Sequence, residues 1–359
     1  MLTPAERVAI CLKGGHADKV PFTMYGCPQN AVEREMRNRG LCLNDRGGPI
    51  ANTYFKTVHM HRTVEWDQKL TKRMVRTIYD TPVGTVTTLH NEGGGPGYMH
   101  EKMFKTPDDF KTILYILKDT VVEPVTDFSG WQAKKDYWGG DAYITTGAGV
   151  EPLQLFISEY YIGMEDFCIQ WMDNRDEILK LYNAQIEINR QYYPILAKSP
   201  ATIANFGGNL ITSLISRDEY EQYYMPHYAE AASHVEKKGI LLSSHYDGNC
   251  GTHRDLIAKS KLSCIEAFTP APDTDMTLRE ARDAWPDKIL WLNFPSSVHL
   301  RPDAEVEQFT VDMLNTLESV DGIIMGITED LPAHRGLDSC LAVMKGLERH
   351  AKERPEFYR

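Results

Sequence analysis

The stretch Gly239-Ile240-Leu241-Leu242-Ser243-Ser244-His245-Tyr246-Asp247-Gly248-Asn249-Cys250 decides the fold. A short apolar run ends abruptly in a histidine, a carboxylate and two turn residues. A helical pattern follows, and then a second run of the same kind, Leu262-Ser263-Cys264-Ile265-Glu266. Strands buried on both faces read as near-continuous apolar runs, and a helix between two of them makes the pair parallel. Five further runs resemble these two: Val20–Met24, Tyr143–Thr146, Ile203–Asn205-Phe206, Ile289–Asn293 and Gly322–Gly326. Each is followed by a helical pattern. Several starts are marked by local chemistry: Thr3-Pro4-Ala5-Glu6, Ser216-Arg217-Asp218-Glu219 and Thr277-Leu278-Arg279-Glu280 are capping boxes. The helix opening at Arg301-Pro302-Asp303 carries Val306, Phe309, Met313, Leu314 and Leu317 on one face. So many βα units in one chain favour a barrel over an open sheet; the length fits a single (β/α)₈ TIM barrel domain, 1–359, although periodicity alone leaves closure open. Residues 73–91 break the pattern. Arg73–Ile78 and Gly84–Leu89 read as two strands joined at Asp80-Thr81-Pro82-Val83, an inserted N-terminal β-hairpin.

Composition narrows the function. At 42% hydrophobic and 25% charged, the chain can bury a core, which excludes disorder as its main state. A net charge of −11 argues against nucleic acid or an anionic membrane as partner. No run of eighteen apolar residues is present, and the opening Met-Leu-Thr-Pro-Ala-Glu-Arg lacks the apolar core of a signal peptide. The seven cysteines form no CxxC pair, so a reducing cytoplasm is expected. Oligomeric state is left open, a homo-oligomer included.

In parallel α/β folds the chemistry lies at the carboxyl ends of the strands. The residues there are His245 with Tyr246 and Asp247, then Glu266, Asn293, and finally Glu329 with His334 close behind. One imidazole and two carboxylates, His245, Glu266 and Glu329, make a candidate Zn²⁺ set with an open fourth position. Asp247, Cys250 and Cys264 are spare donors. The plainer alternative has His245 capping a loop and the glutamates facing solvent. Asn205, Asn293, Phe156 and Tyr160 are the expected lining of an aromatic pocket, although core packing would also account for the two aromatics. His59-Met60-His61 is a His-x-His pair of the kind found in metal-dependent hydrolases; a surface or pocket-edge place is the favoured reading. No Gly-x-Ser-x-Gly elbow is present.

Pro4-Ala5-Glu6-Arg7-Val8-Ala9, Lys13-Gly14, Asp18-Lys19-Val20-Pro21, Gly163–Phe167 and Phe206-Gly207-Gly208-Asn209 through Met225-Pro226-His227 together resemble the uroporphyrinogen decarboxylase superfamily, in an order that spans nearly the whole chain. The resemblance implies a (β/α)₈ barrel. The decarboxylases themselves carry an arginine-rich run soon after the first strand. Here that place reads Met24-Tyr25-Gly26-Cys27-Pro28-Gln29, which would leave a many-carboxylate tetrapyrrole without cationic partners. The other branch holds zinc methyltransferases that work with corrinoid proteins. Its thiol-methylating members use a His-x-Cys pair and a later cysteine as ligands. In this chain the matching places read His245-Tyr246-Asp247 and Ile327-Thr328-Glu329. Oxygen ligands in place of sulfur leave a harder Lewis acid, suited to an ether oxygen.

The chain therefore resembles the first methyltransferase of aryl-ether O-demethylase systems. The resemblance implies transfer of a methyl group from a phenyl methyl ether to the cobalt(I) corrinoid (cobalamin) of a separate corrinoid protein, since no Asp-x-His-x-x-Gly motif occurs in this chain. His245, Tyr246, Asp247 and His334 are the candidate catalytic groups. The alternatives are a metal-dependent hydrolase on the same barrel and a non-catalytic or decarboxylase-like tetrapyrrole binder.

Overall fold

The computed structural model describes residues 2–26, 31–92, 98–158, 161–210, 212–328, 331, 332 and 334–358. The chain divides into two compact units. The first comprises residues 1–49, 127–148 and 199–359, and the second residues 50–126 and 149–198.

The first unit is built on a nine-stranded sheet. Its strands are β1 (Phe22–Met24), β2 (Leu41–Asp45), β3 (Ala142–Ile144), β4 (Thr146–Gly149), β5 (Ile203–Phe206), β6 (Leu241–His245), β7 (Cys264–Phe268), β8 (Ile289–Asn293) and β9 (Ile323–Ile327). The order is β4-β5-β6-β7-β8-β9-β1-β2-β3. The two edge strands, β3 and β4, are separated in sequence only by Thr145, so the sheet curls back on itself as the staves of a (β/α)₈ barrel. The pairings from β5 round to β3 are parallel. Strand β2 has no counterpart among the seven apolar runs read from the sequence. The expected capping boxes are all formed: Thr3 with Glu6, Ser216 with Glu219 and Thr277 with Glu280.

Helix α1 (Pro4–Cys11) packs Val8 and Cys11, with Leu12 just beyond it, against the amino-terminal halves of the strands. There they meet Cys42, Ile203, Cys264, Ile289, Trp291 and Ile324. This cluster forms the floor of the barrel. Each fully buried aliphatic in it contributes roughly 1.5–3 kcal/mol relative to exposure. Above the floor, the side chains on the carboxyl-terminal halves of the strands are free to carry polar groups.

In the second unit, the expected hairpin is present. Lys72–Thr81 pairs antiparallel with Gly84–Glu92, in register from Arg73↔Glu92 to Thr81↔Gly84. It is the centre of a four-stranded sheet whose other members are His59–Asp67 and Met99–Glu101. Ala51–Phe55 and Thr120–Pro124 form a separate antiparallel pair. Among the described residues this unit also holds the helices Phe110–Asp119, Pro152–Ser158, Met164–Asp173 and Arg175–Leu196. Among the described residues no helix is long and apolar enough to cross a membrane.

Candidate active site at the carboxyl end of the barrel

The register of the barrel brings His245 directly opposite Glu266 on the neighbouring strand. His245 Nδ1 lies 2.8 Å from Glu266 Oε2. On its other side, Nε2 is 3.6 Å from Asp247 Oδ2, an ionic contact longer than a hydrogen bond. The imidazole is thus held between two carboxylates. Burial would drive it toward the neutral form. The hydrogen bond to Glu266 and the negative charges of Asp247 and Glu266 outweigh that, and its pKa rises to about 10.

Glu266 is buried, and a buried carboxylate is costly unless donors surround it. Three side chains meet that need. His245 is one, Asn205 Nδ2 donates to Oε2 at 3.1 Å, and the Tyr25 hydroxyl donates to Oε1. Asn205 is oriented in turn by the Ser243 hydroxyl, which donates to its Oδ1 at 2.9 Å. Strands β1, β5, β6 and β7 thereby converge on one carboxylate.

The remaining sequence candidates fall in different places. Tyr246 follows His245 and points the other way, as alternation along a strand requires. Its hydroxyl is buried against those of Tyr220 (2.8 Å) and Tyr228 (3.2 Å), and burial among them pushes its pKa well up. Asn293 ties strand ends together: its Nδ2 donates to Thr269 Oγ1 at 3.0 Å and its Oδ1 accepts from Thr328 N at 3.0 Å. His334 is exposed, between β9 and the helix Gly336–Glu353. Phe156 is buried in the second unit, edge-on to Tyr161. Glu329 and Tyr160 lie outside the described residues.

Cys264 belongs to the barrel floor, and burial pushes its thiol far up, as it does that of Cys250. Neither is poised to ionise. His59 and His61 stand exposed on the strand His59–Asp67 of the second unit rather than after a barrel strand. The view of Glu266 as a solvent-facing group is also corrected, because its charge is solvated by protein donors instead.

The donor types at this mouth, one imidazole and neighbouring carboxylates, are those that Zn²⁺ accepts. His245 and Glu266 are adjacent, and Asp247 stands on the far side of the imidazole. Among the described residues, no three His, Cys, Asp or Glu converge as a complete metal site.

Two residues at this mouth were not singled out in the sequence. Tyr25 directly follows β1, so the same strand-end rule would have found it. Arg46 directly follows β2, which was not recognised as a strand. The Arg46 guanidinium lies over the Tyr25 ring, Cζ 3.7 Å from the centroid.

No family model matches the chain, and no curated protein matches it. Among solved structures, it is similar to a methyltransferase from Methanosarcina mazei, with a TM-score of 0.54 and 14% identity over 98% of this chain and 99% of that one. At that identity the likeness is one of fold, and it covers the barrel together with the segments inserted in it.

Proposed function

We propose that the protein is a zinc-dependent methyltransferase. It would take the methyl group of a phenyl methyl ether and pass it to the cobalt(I) corrinoid of a separate corrinoid protein. The observation that carries this reading is the His245–Glu266 pair at the mouth of the barrel, flanked by Asp247. The fold it shares with a protein described as a methyltransferase supports it. His245 and Glu266 would hold the zinc, with Glu329 the expected third ligand. When bound, the metal supplies Lewis acidity to an ether oxygen, whose departure as a phenolate is otherwise slow. The chain's own residues do the rest. Asn205 and Tyr25 fix the Glu266 carboxylate by hydrogen bonds from two directions. Asp247 orients the imidazole from its Nε2 side. The cysteines Cys11, Cys42, Cys168, Cys250, Cys264 and Cys340 are free thiols, in keeping with the cytoplasmic location that this reading assigns.

The test is metal content by mass spectrometry on anaerobically purified protein, followed by methyl transfer from aryl methyl ethers to cobalt(I) cobalamin. About one zinc per chain is expected, lost in His245→Ala and Glu266→Ala together with the activity. Carefully handled wild type that binds no zinc, or variants that transfer methyl groups at the wild-type rate, would overturn the reading.

A further inference from the structure

Arg46 stands immediately beyond β2 and Tyr25 immediately beyond β1, on the side of the barrel where β6 ends in His245. The stacked guanidinium is therefore separated from Glu266 by the Tyr25 phenol, whose hydroxyl donates to that carboxylate. Arg46 is exposed, and among the described residues its side chain makes no ion pair and no hydrogen bond. The neighbouring carboxylate does not neutralise it. Asp45 is taken by Lys134 Nζ at 2.8 and 2.9 Å, by Trp138 Nε1 at 2.9 Å and by Gly47 N at 2.8 Å.

The backbone that carries Arg46 is held firmly. Gly48 N donates to Thr145 O at 3.2 Å, and Gly48 O accepts from Thr146 Oγ1 at 2.7 Å. A Cβ on Gly48 would lie 2.2 Å from the Trp131 ring, so the loop has no room to shift inward there. A guanidinium stacked on one face by an aromatic ring keeps its in-plane N–H edges open. Those edges match a carboxylate in bidentate fashion. In a chain of net charge −11, an unpaired cation held in place beside the candidate site is an anion receptor rather than a solvated surface charge.

We propose that Arg46 binds a carboxylate on the methyl donor. The substrate class is then a methoxylated aromatic acid rather than a neutral aryl ether or a cationic methylamine. This rests on the methyltransferase reading given above. Arg46 acts as a specificity residue: the carboxylate seats on its guanidinium and the ether end of the same ring reaches toward His245 and Glu266.

The experiment is calorimetric titration of the purified protein with the three methoxybenzoate isomers and the matching methoxybenzamides. Wild type, Arg46→Gln and Arg46→Lys are compared. Wild type should bind at least one acid about tenfold or more tightly than its amide, and Arg46→Gln should weaken that acid about 10- to 100-fold while leaving the amide nearly unchanged. Arg46→Lys should recover part of the loss, since it keeps the charge and loses the fork. Acid and amide binding wild type alike would overturn the proposal. So would equal weakening of both by Arg46→Gln, the mark of a merely structural stack on Tyr25. Methyl transfer to cobalt(I) cobalamin, run on the same proteins, separates the two ideas. Arg46-dependent binding of the acids with no transfer from any ether removes the methyltransferase reading and keeps the carboxylate subsite. Transfer from neutral ethers that is as fast as from the acids and unaffected by Arg46→Gln does the reverse.

Discussion

Gly326 lies in β9 inside the barrel, where adding one methyl group tests how the interior is built. A Cβ there would sit 2.6 Å from the Leu292 carbonyl oxygen, 3.1 Å from Thr23 Oγ1 and 3.2 Å from Trp291 Nε1. An ordinary carbon–oxygen approach is about 3.3 Å, so the methyl is roughly 0.7 Å too close to a backbone atom. That backbone cannot yield cheaply, because β9 is paired on both sides, Asn293↔Gly326 and Thr23↔Gly326. The other two neighbours are the ends of one hydrogen bond: Trp291 Nε1 donates to Thr23 Oγ1 at 2.9 Å, and Thr23 Oγ1 donates to Met325 O at 3.2 Å. Overpacking costs about 1–3 kcal/mol and leaving the buried indole N–H unpaired costs a similar amount, so Gly326→Ala should destabilise by about 2–5 kcal/mol. The control is Gly130→Ala. This glycine is the second residue of the helix Ser129–Trp138, with nothing within 4 Å of an added Cβ, and the change should be neutral or stabilise by up to about 0.5 kcal/mol. Guanidinium unfolding followed by tryptophan fluorescence reads both. A Gly326→Ala midpoint equal to or above that of wild type would refute the packing argument.

Two further outcomes follow from the charges. Glu266→Gln keeps the shape of the carboxylate and removes its charge, so the pKa of His245 should fall well below about 10, as read by NMR titration of its ring protons; no change would show that Glu266 does not hold the proton there. His227 is pushed down to about 3 by complete burial beside Phe206, so it is neutral in the folded protein and takes up a proton on unfolding below its ordinary value of 6.5. The unfolded state therefore binds more protons between those limits. The stability tied to neutral His227 is fully present above pH 6.5 and is lost as pH falls toward about 3, at a slope of about 1.4 kcal/mol per pH unit. His227→Leu should flatten that acid limb in urea melts taken across the range, and an unchanged slope would contradict the assignment.

The sequence by itself determined the helix starts, because a capping box is a local device. Thr3 and Glu6, or Thr277 and Glu280, satisfy each other's backbone N–H groups without help from the rest of the chain. It also determined most of the barrel, since strands buried on both faces must be apolar throughout, and it placed His245 at a strand end, whereas Glu266, read as ending its run, lies in the middle of β7. The hairpin 72–92 was legible from its β-branched runs on either side of the turn at Pro82-Val83, whereas the neighbouring strand His59–Asp67 was not. Nearly every residue of that strand is exposed, so no buried face imposes a period on it. Strand β2 escaped notice because its apolar part is only Leu41-Cys42-Leu43 before the polar Asn44-Asp45, and Arg46 was lost with it. Only the tertiary structure decided which polar groups meet. Tyr25 and Glu266 are 241 residues apart in sequence, and the link between them exists because the closed sheet carries β1 and β7 to one mouth. Alternation along β6 sends Tyr246 into a tyrosine cluster while its neighbour faces Glu266, and the direction of that alternation is set by which face of the strand the barrel encloses. Residue types and strand ends are local properties, read from a few neighbours. Partnership between side chains is a property of closure, which no stretch of sequence contains.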